Sequence, residues 1–228
     1  MIKITNAEVF GWDAAIRGMR NPMNSWNKSD SFLCNVECDE CPERGNHCQG
    51  HNYLDYVVGD NDLTLMKKLA KAGSDHAKFM RMINVTMDAT APLYWWKEFD
   101  TYKVGTVANS CSTMHMIANR EFTLGDFSTE HLDDVSLDTF NYIIAQLEYD
   151  RRLYIKTKDK KYWWDMIQQL PSSYNQKRTI QLNYAVLRNM YHARRNHKLD
   201  EWRDFCSWVE TLPYAELITL GGNDNGKD

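Results

Sequence analysis

SDHAKFMRMINVTMDATAPLYWWKEFDTYKVGTVANSCSTMH, Ser74 to His115, is the stretch that decides the fold. From Phe79 to Ala89 the residues alternate. Phe79, Ile83, Val85, Met87 and Ala89 fall on one side and Met80, Met82, Asn84, Thr86 and Asp88 on the other, with Arg81 the one break in the apolar row. A period of two rich in β-branched residues predicts a half-buried strand. Ala91-Pro92 then opens a helix, because proline's missing N–H would be orphaned in the first turn anyway, and Thr90 stands where a capping hydroxyl belongs. Leu93, Trp96 and Phe99 recur at helical spacing. The polar segment Thr106–His115 follows, giving a rigid scaffold that carries a hydroxyl-rich loop, a common plan for a site.

Outward from this centre the pattern is mainly helical. Ile2–Val9 reads as a strand and Trp12–Met19 as a short helix. Asn61 or Asp62 caps a helix over Leu63–Ala72, stopped by Gly73. Further helices are expected from Ser136 (Leu137, Phe140, Ile144 and Leu147 on one face), over Lys160–Leu170, over Leu182–Asn196 and over Leu199–Leu212. Strands do not alternate regularly with helices. The predicted class is therefore α+β, mostly helical around a mixed or antiparallel sheet, as one domain over residues 1–220 with a small Cys-rich insertion at 34–51. The tail 221–228, GGNDNGKD, is too polar to order itself.

The 228 residues carry a net charge of -4, which argues against general nucleic-acid binding. No apolar run approaches membrane-spanning length, and MIKITNAEVFGW lacks the layout of a signal peptide, so the expected location is cytoplasmic. Cysteines would then be reduced, and clustered ones read first as metal ligands. Cys38-x2-Cys41 and Cys48-x2-His51 are two short ligand pairs of the kind a tetrahedral structural zinc uses. Cys34-x3-Cys38-x2-Cys41 also has the spacing of radical S-adenosylmethionine enzymes. The long run of alternating strands and helices which that class needs is missing, although an iron–sulfur cluster as such stays open.

The C-terminal third adds Leu170-Pro171, Asn183-x3-Leu187-x-Asn189 and Arg194. Together with His76-x2-Phe79 and Ala91-Pro92 before an aromatic helix, this order and spacing resembles the flavin-dependent thymidylate synthases over roughly Leu63 to Trp208. The resemblance implies an α+β homotetramer with sites between subunits, binding FAD, a pyrimidine deoxynucleotide (deoxyuridine monophosphate) and methylenetetrahydrofolate, with NADPH as reductant. Carried over by position, Arg194 would meet the nucleotide, Asn189 would lie near the flavin and His76 beside the cofactor. The family's Arg-His-Arg, seven residues, Ser signature is altered. An ungapped reading puts Thr101-Tyr102-Lys103 and Cys111 there, and a shift of two puts Lys103-Val104-Gly105 and Thr113. Neither Ile167 nor Gln168 supplies the family's basic residue before Leu-Pro. Lys103 and Thr113 are thus candidate substrate contacts, and Cys111, Ser110 and Ser112 candidate catalytic groups. For His76 a core role is equally open, for Arg194 a helix-end charge, and for the Ser110–Thr113 run a plain turn. Two functions follow: a divergent synthase-like flavoprotein moving a one-carbon unit onto a dUMP-like nucleotide, or a protein of the same fold that binds or sequesters a nucleotide without that reaction.

Overall fold

A computed structural model describes residues 1–34 and 56–221. In chain order these form β1 (Lys3–Phe10), α1 (Trp12–Arg20), β2 (Phe32–Leu33), β3 (Tyr56–Val57), α2 (Asp60–Lys71), β4 (Asn84–Pro92), α3 (Leu93–Phe99), β5 (Val107–Ser110), α4 (Thr113–Met116), α5 (Asp134–Thr157), α6 (Lys160–Gln169), β6 (Asn175–Asn183), α7 (Tyr184–Arg194), α8 (Asp200–Val209) and α9 (Glu216–Thr219). Short 3-10 turns at 21–23, 26–28, 77–81 and 124–126 punctuate the connections. The class is α+β. A four-stranded sheet has the order β1-β4-β6-β5, and β2 pairs with β3 in an antiparallel ribbon. β4 and β6 run antiparallel, since Tyr184 N–H bonds to Ile83 O at one end and Leu93 N–H to Tyr174 O at the other, both at 3.0 Å.

The expected strand begins five residues late. Phe79 and Met80 are both buried, which a strand's alternation forbids, and they sit in the 3-10 turn over Ala77–Arg81. From Asn84 the alternation holds, with Val85, Met87, Ala89 and Ala91 almost wholly buried. Thr90 is not a cap but a strand residue. The first amides of α3 are satisfied by main-chain carbonyls, Leu93 N–H to Tyr174 O and Tyr94 N–H to Ser172 O, each at 3.0 Å. Long-range pairing here does what a capping hydroxyl would otherwise do.

The chain divides into two compact units. The first comprises residues 1–4, 88–101 and 108–179, the second 5–87, 102–107 and 180–228, described here to 221. In the first, the hairpin α5–α6 buries Ile144, Leu147 and Met166 against Ile117, Phe122 and Phe127. Asp133 caps α5 by accepting the Ser136 N–H at 2.8 Å, and Asp159 caps α6 through the Lys161 N–H at 3.0 Å. Trp95, Trp96 and Phe99 pack edge to face and tilted at 4.8–5.3 Å. Arg178 closes this cluster from above, its guanidinium 4.3 Å from the Trp96 ring and ion-paired to Asp100 at 2.7 Å.

In the second unit, α7 packs with α8 and α9, and Trp12 meets Tyr184 and Tyr214 edge-on at 5.4 and 5.0 Å. A buried knot organises the approach to α2. Asp62 is wholly buried and accepts Arg20 Nε at 2.6 Å, the Ser29 and Ser31 hydroxyls at 2.6 Å and the amides of Asp30 and Ser31 at 3.2 Å. Asp62 is therefore no helix cap. Asp30 fills that role, accepting the Asn61 and Asp62 amides at 2.9 and 3.1 Å. The knot fixes the chain beside the β2–β3 ribbon, where Leu33 pairs with Tyr56. Of the predicted insertion only Cys34 is described. Cys38, Cys41, Cys48 and His51 lie outside the described residues, as do 222–228 of the predicted tail.

Candidate functional site

In the first unit the hydroxyl-rich segment is built, not loose. β5 delivers the exposed Ser110 and Cys111, and the Cys111 amide bonds to Lys177 O at 2.9 Å. Gln176 then holds the turn with one amide group, donating to Cys111 O at 3.0 Å and to Thr113 Oγ1 at 3.1 Å. Ser112 Oγ accepts the His115 N–H at 3.3 Å and starts α4, and Trp163 Nε1 donates to Met114 O at 3.0 Å. Cys111, Ser112 and Thr113 line a cleft of about 530 Å³ together with Asn119, Arg120 and the Asn175–Lys177 edge of β6. Its two cations are already partnered. Lys177 Nζ lies 2.9 Å from Asp88, which also takes the Thr179 hydroxyl at 2.6 Å, and Arg120 pairs with Asp126. The cleft thus presents carboxamides, hydroxyls and one thiol in a nearly neutralised wall, a setting suited to the polar edge of an uncharged ring.

The second unit holds a separate cleft of about 500 Å³ on α7. Asn183 caps α7, its Oδ1 accepting the Val186 N–H at 3.1 Å, and Asn183, Val186 and Asn189 then recur on one helical face toward the cleft. The other walls come from Ser74 and the Ala77–Arg81 turn, and from Val104-Gly105. Gly105 has φ +77°, and a Cβ there would stand 3.1 Å from both Asn183 Nδ2 and Val186 Cγ2. The backbone conformation favours glycine at this point, and the two side chains leave little room for a Cβ.

The expected residues therefore fall into groups. Cys111, Ser112 and Thr113 share the first cleft, with Ser110 one position before it. Asn189 lines the second. His76 is exposed between two of its lining residues, Ser74 and Ala77, and exposed Lys103 precedes Val104. Arg194 lines neither cleft. Its Nε donates to Tyr102 Oη at 3.0 Å and its guanidinium lies 4.8 Å from the Trp202 ring and 5.7 Å from that of Tyr102.

Sequence reasoning did not single out Arg81 or Arg188, which both line the second cleft. Arg81 carried a signal, since it is the residue that interrupts the apolar alternation of the opening stretch. Asn183 stood in the resemblance motif but was given no role. β6, which supplies Asn175, Gln176 and Lys177, was missed because only Ile180 and Leu182 are apolar in its alternation.

No protein-family model and no curated protein matches the chain. Among solved structures, two of the flavin-dependent thymidylate synthase ThyX from Helicobacter pylori, each with FAD and dUMP, are similar in fold. One aligns at TM-score 0.64 and 14% identity over 95% of this chain and 96% of its own. The other aligns at TM-score 0.63 and 15% identity over 95% of both. The likeness establishes the fold over nearly the whole length. Among the described residues no helix is long and apolar enough to cross a membrane, and no group of three or more His, Cys, Asp or Glu could hold a metal ion.

Proposed function

We propose that the chain is a divergent flavin-dependent thymidylate synthase-like enzyme acting on a pyrimidine deoxynucleotide. The observation that carries this reading is the agreement of fold, over 95% of the chain, with structures of a ThyX with FAD and dUMP. The two clefts support it chemically. A flavin is a flat conjugated ring with a polar rim on a phosphate-bearing chain. The α7 cleft offers a matching wall, apolar at Met80, Val104 and Val186 and polar at Asn183 and Asn189. The carboxamide of Asn189 would meet the rim, Asn183 would present its free amide hydrogens while its oxygen caps the helix, and His76 would stand beside the cofactor. When bound, the flavin supplies the redox chemistry of the reaction.

The first cleft would take the pyrimidine. Asn119 and Asn175 carry both donors and acceptors for its carbonyl and imide edge, and the turn at Cys111–Thr113, fixed by Gln176, would set the ring's position. Ser110, Cys111 and Ser112 are the groups we propose to act on the ring. Lys103 and Arg194 are proposed to contact the nucleotide, Arg194 with a guanidinium oriented by Tyr102 and Trp202. A homotetramer with sites between subunits, and use of methylenetetrahydrofolate and NADPH, complete the proposal.

The test is direct. Purified protein should be yellow or become so on FAD titration, and dUMP should raise its melting temperature. Incubation with NADPH, methylenetetrahydrofolate and dUMP should yield dTMP. Colourless protein that takes up neither FAD nor dUMP overturns the reading.

A further inference from the structure

Arg188 is half-buried in α7 and lines the second cleft. Its Nη1 donates to Ala70 O at 2.9 Å and touches Met80 Sδ at 4.0 Å, while Nε and Nη2 have no acceptor among the described residues. No carboxylate among the described residues pairs with it. Burial alone holds its guanidinium below the ordinary arginine range, as expected for a desolvated cation without a counter-charge. Arg81, across the cleft in the 77–81 turn, likewise forms no ion pair or side-chain hydrogen bond with any described residue. None of the described residues lining this cleft is acidic. His192, one turn beyond Arg188, records the same imbalance. Its imidazole is held low first by burial and then by the charges of Arg188 and Arg195.

The contrast with the first cleft is informative. There Lys177 and Arg120 have their own aspartates. A half-buried arginine without a partner among the described residues is costly, and Arg188 with the exposed Arg81 facing it across the cleft leaves a pair of positive charges that an anion from outside would balance. Arginine's planar fork matches phosphate oxygens in a two-point contact. We infer that Arg81 and Arg188 form an anion site in the α7 cleft that binds a phosphate or pyrophosphate group of the ligand. The ligand's identity rests on the proposed function, whereas the requirement for an anion rests on these two residues.

Inorganic pyrophosphate is the probe, titrated calorimetrically into the full chain. It should bind, and R81Q and R188Q should each weaken it by about tenfold or more, the effect of losing a charge-assisted contact. R81Q removes an exposed side chain that makes no hydrogen bond or ion pair among the described residues, so it stays interpretable if loss of the Ala70 contact harms the fold of R188Q. Competition distinguishes the source: displacement of pyrophosphate by FAD assigns the anion to a dinucleotide, displacement by dUMP to a mononucleotide. No pyrophosphate binding, or a folded R81Q that binds like the parent, overturns the inference, whereas displacement by neither nucleotide overturns the synthase reading and leaves the anion site standing. A protein that binds pyrophosphate through these arginines yet forms no dTMP would sink the synthase reading and leave the anion site standing.

Discussion

Replacing Glu148 with Gln tests how the wall of the first cleft is held. Glu148 projects from α5 with a side chain only 12% exposed. It accepts Arg151 Nε and Nη2, both at 2.7 Å, Arg152 Nε at 2.8 Å and the Phe122 amide at 3.3 Å. Arg151 also reaches Ala118 O at 3.4 Å, so the cluster clamps both ends of the segment that carries Asn119 and Arg120 into the cleft. The Arg151 hydrogen bonds outweigh burial and, with Arg152 and Phe122, hold the carboxyl down from 4.5 to about 2. At about 1.4 kcal/mol per pKa unit, the shift is worth roughly 3 kcal/mol. Because the folded value is the lower one, this stability is fully present above pH 4.5 and disappears as pH falls through about 2. Glutamine keeps one acceptor oxygen and loses the charge. Urea unfolding at pH 7 should therefore show E148Q less stable by about 2–3 kcal/mol, near the range for a hydrogen bond to a charged group, with an unchanged slope. Repeated between pH 5 and pH 2.5, the gap should close steadily. A gap under about 1 kcal/mol at neutral pH, or one indifferent to acid, refutes the assignment of a depressed, clamped carboxylate.

Two further outcomes follow from buried groups in the second unit. Asp62→Asn leaves the Arg20 guanidinium, 5% exposed, without its counter-charge and should cost about 3–5 kcal/mol in chemical unfolding; a loss below about 1 kcal/mol contradicts the knot as described. Burial works against the Asp62 carboxylate, but its bonds from Ser29, Ser31 and Arg20 prevail and hold it below the usual range, so the difference between the parent and the variant should shrink in acid. Burial first, and then Glu210, pushes the Cys206 thiol up to about 12, so iodoacetamide at pH 8 should label exposed Cys111 and spare Cys206 in the native protein, as read by peptide mass spectrometry; early labelling of Cys206 would show that α8 opens locally.

The helices were legible because each writes a stripe that repeats. Trp202, Phe205, Cys206 and Val209 predicted the buried face of α8, and all four are buried. Pro171 marked the end of α6 at Gln169. Strand ends were less so. Met80 and Arg81 look like strand residues until the 3-10 turn buries Met80 with Phe79, a choice made by packing and not by local pattern. The start of α7 slipped for a related reason: Leu182 fits a helical stripe equally well, and only pairing in β6 claims it for the sheet. In the candidate site, Asn189 and the Cys111–Thr113 turn were within reach of motif spacing. Arg188 was not. Its interest lies in having no carboxylate partner among the described residues, and a sequence cannot show which acidic groups pack beside a given arginine.

The ribbon that joins Leu33 to Tyr56 has a corollary. Because Leu33 and Tyr56 face each other on one rung, and Asp62 ties the nearby backbone to α1 and α2 by its own bonds, changing the number of residues between them adds little to the entropy of bringing the ends together. Insertions or deletions between Leu33 and Tyr56 should therefore cost little in folding free energy and leave the helices bearing the α7 cleft in register.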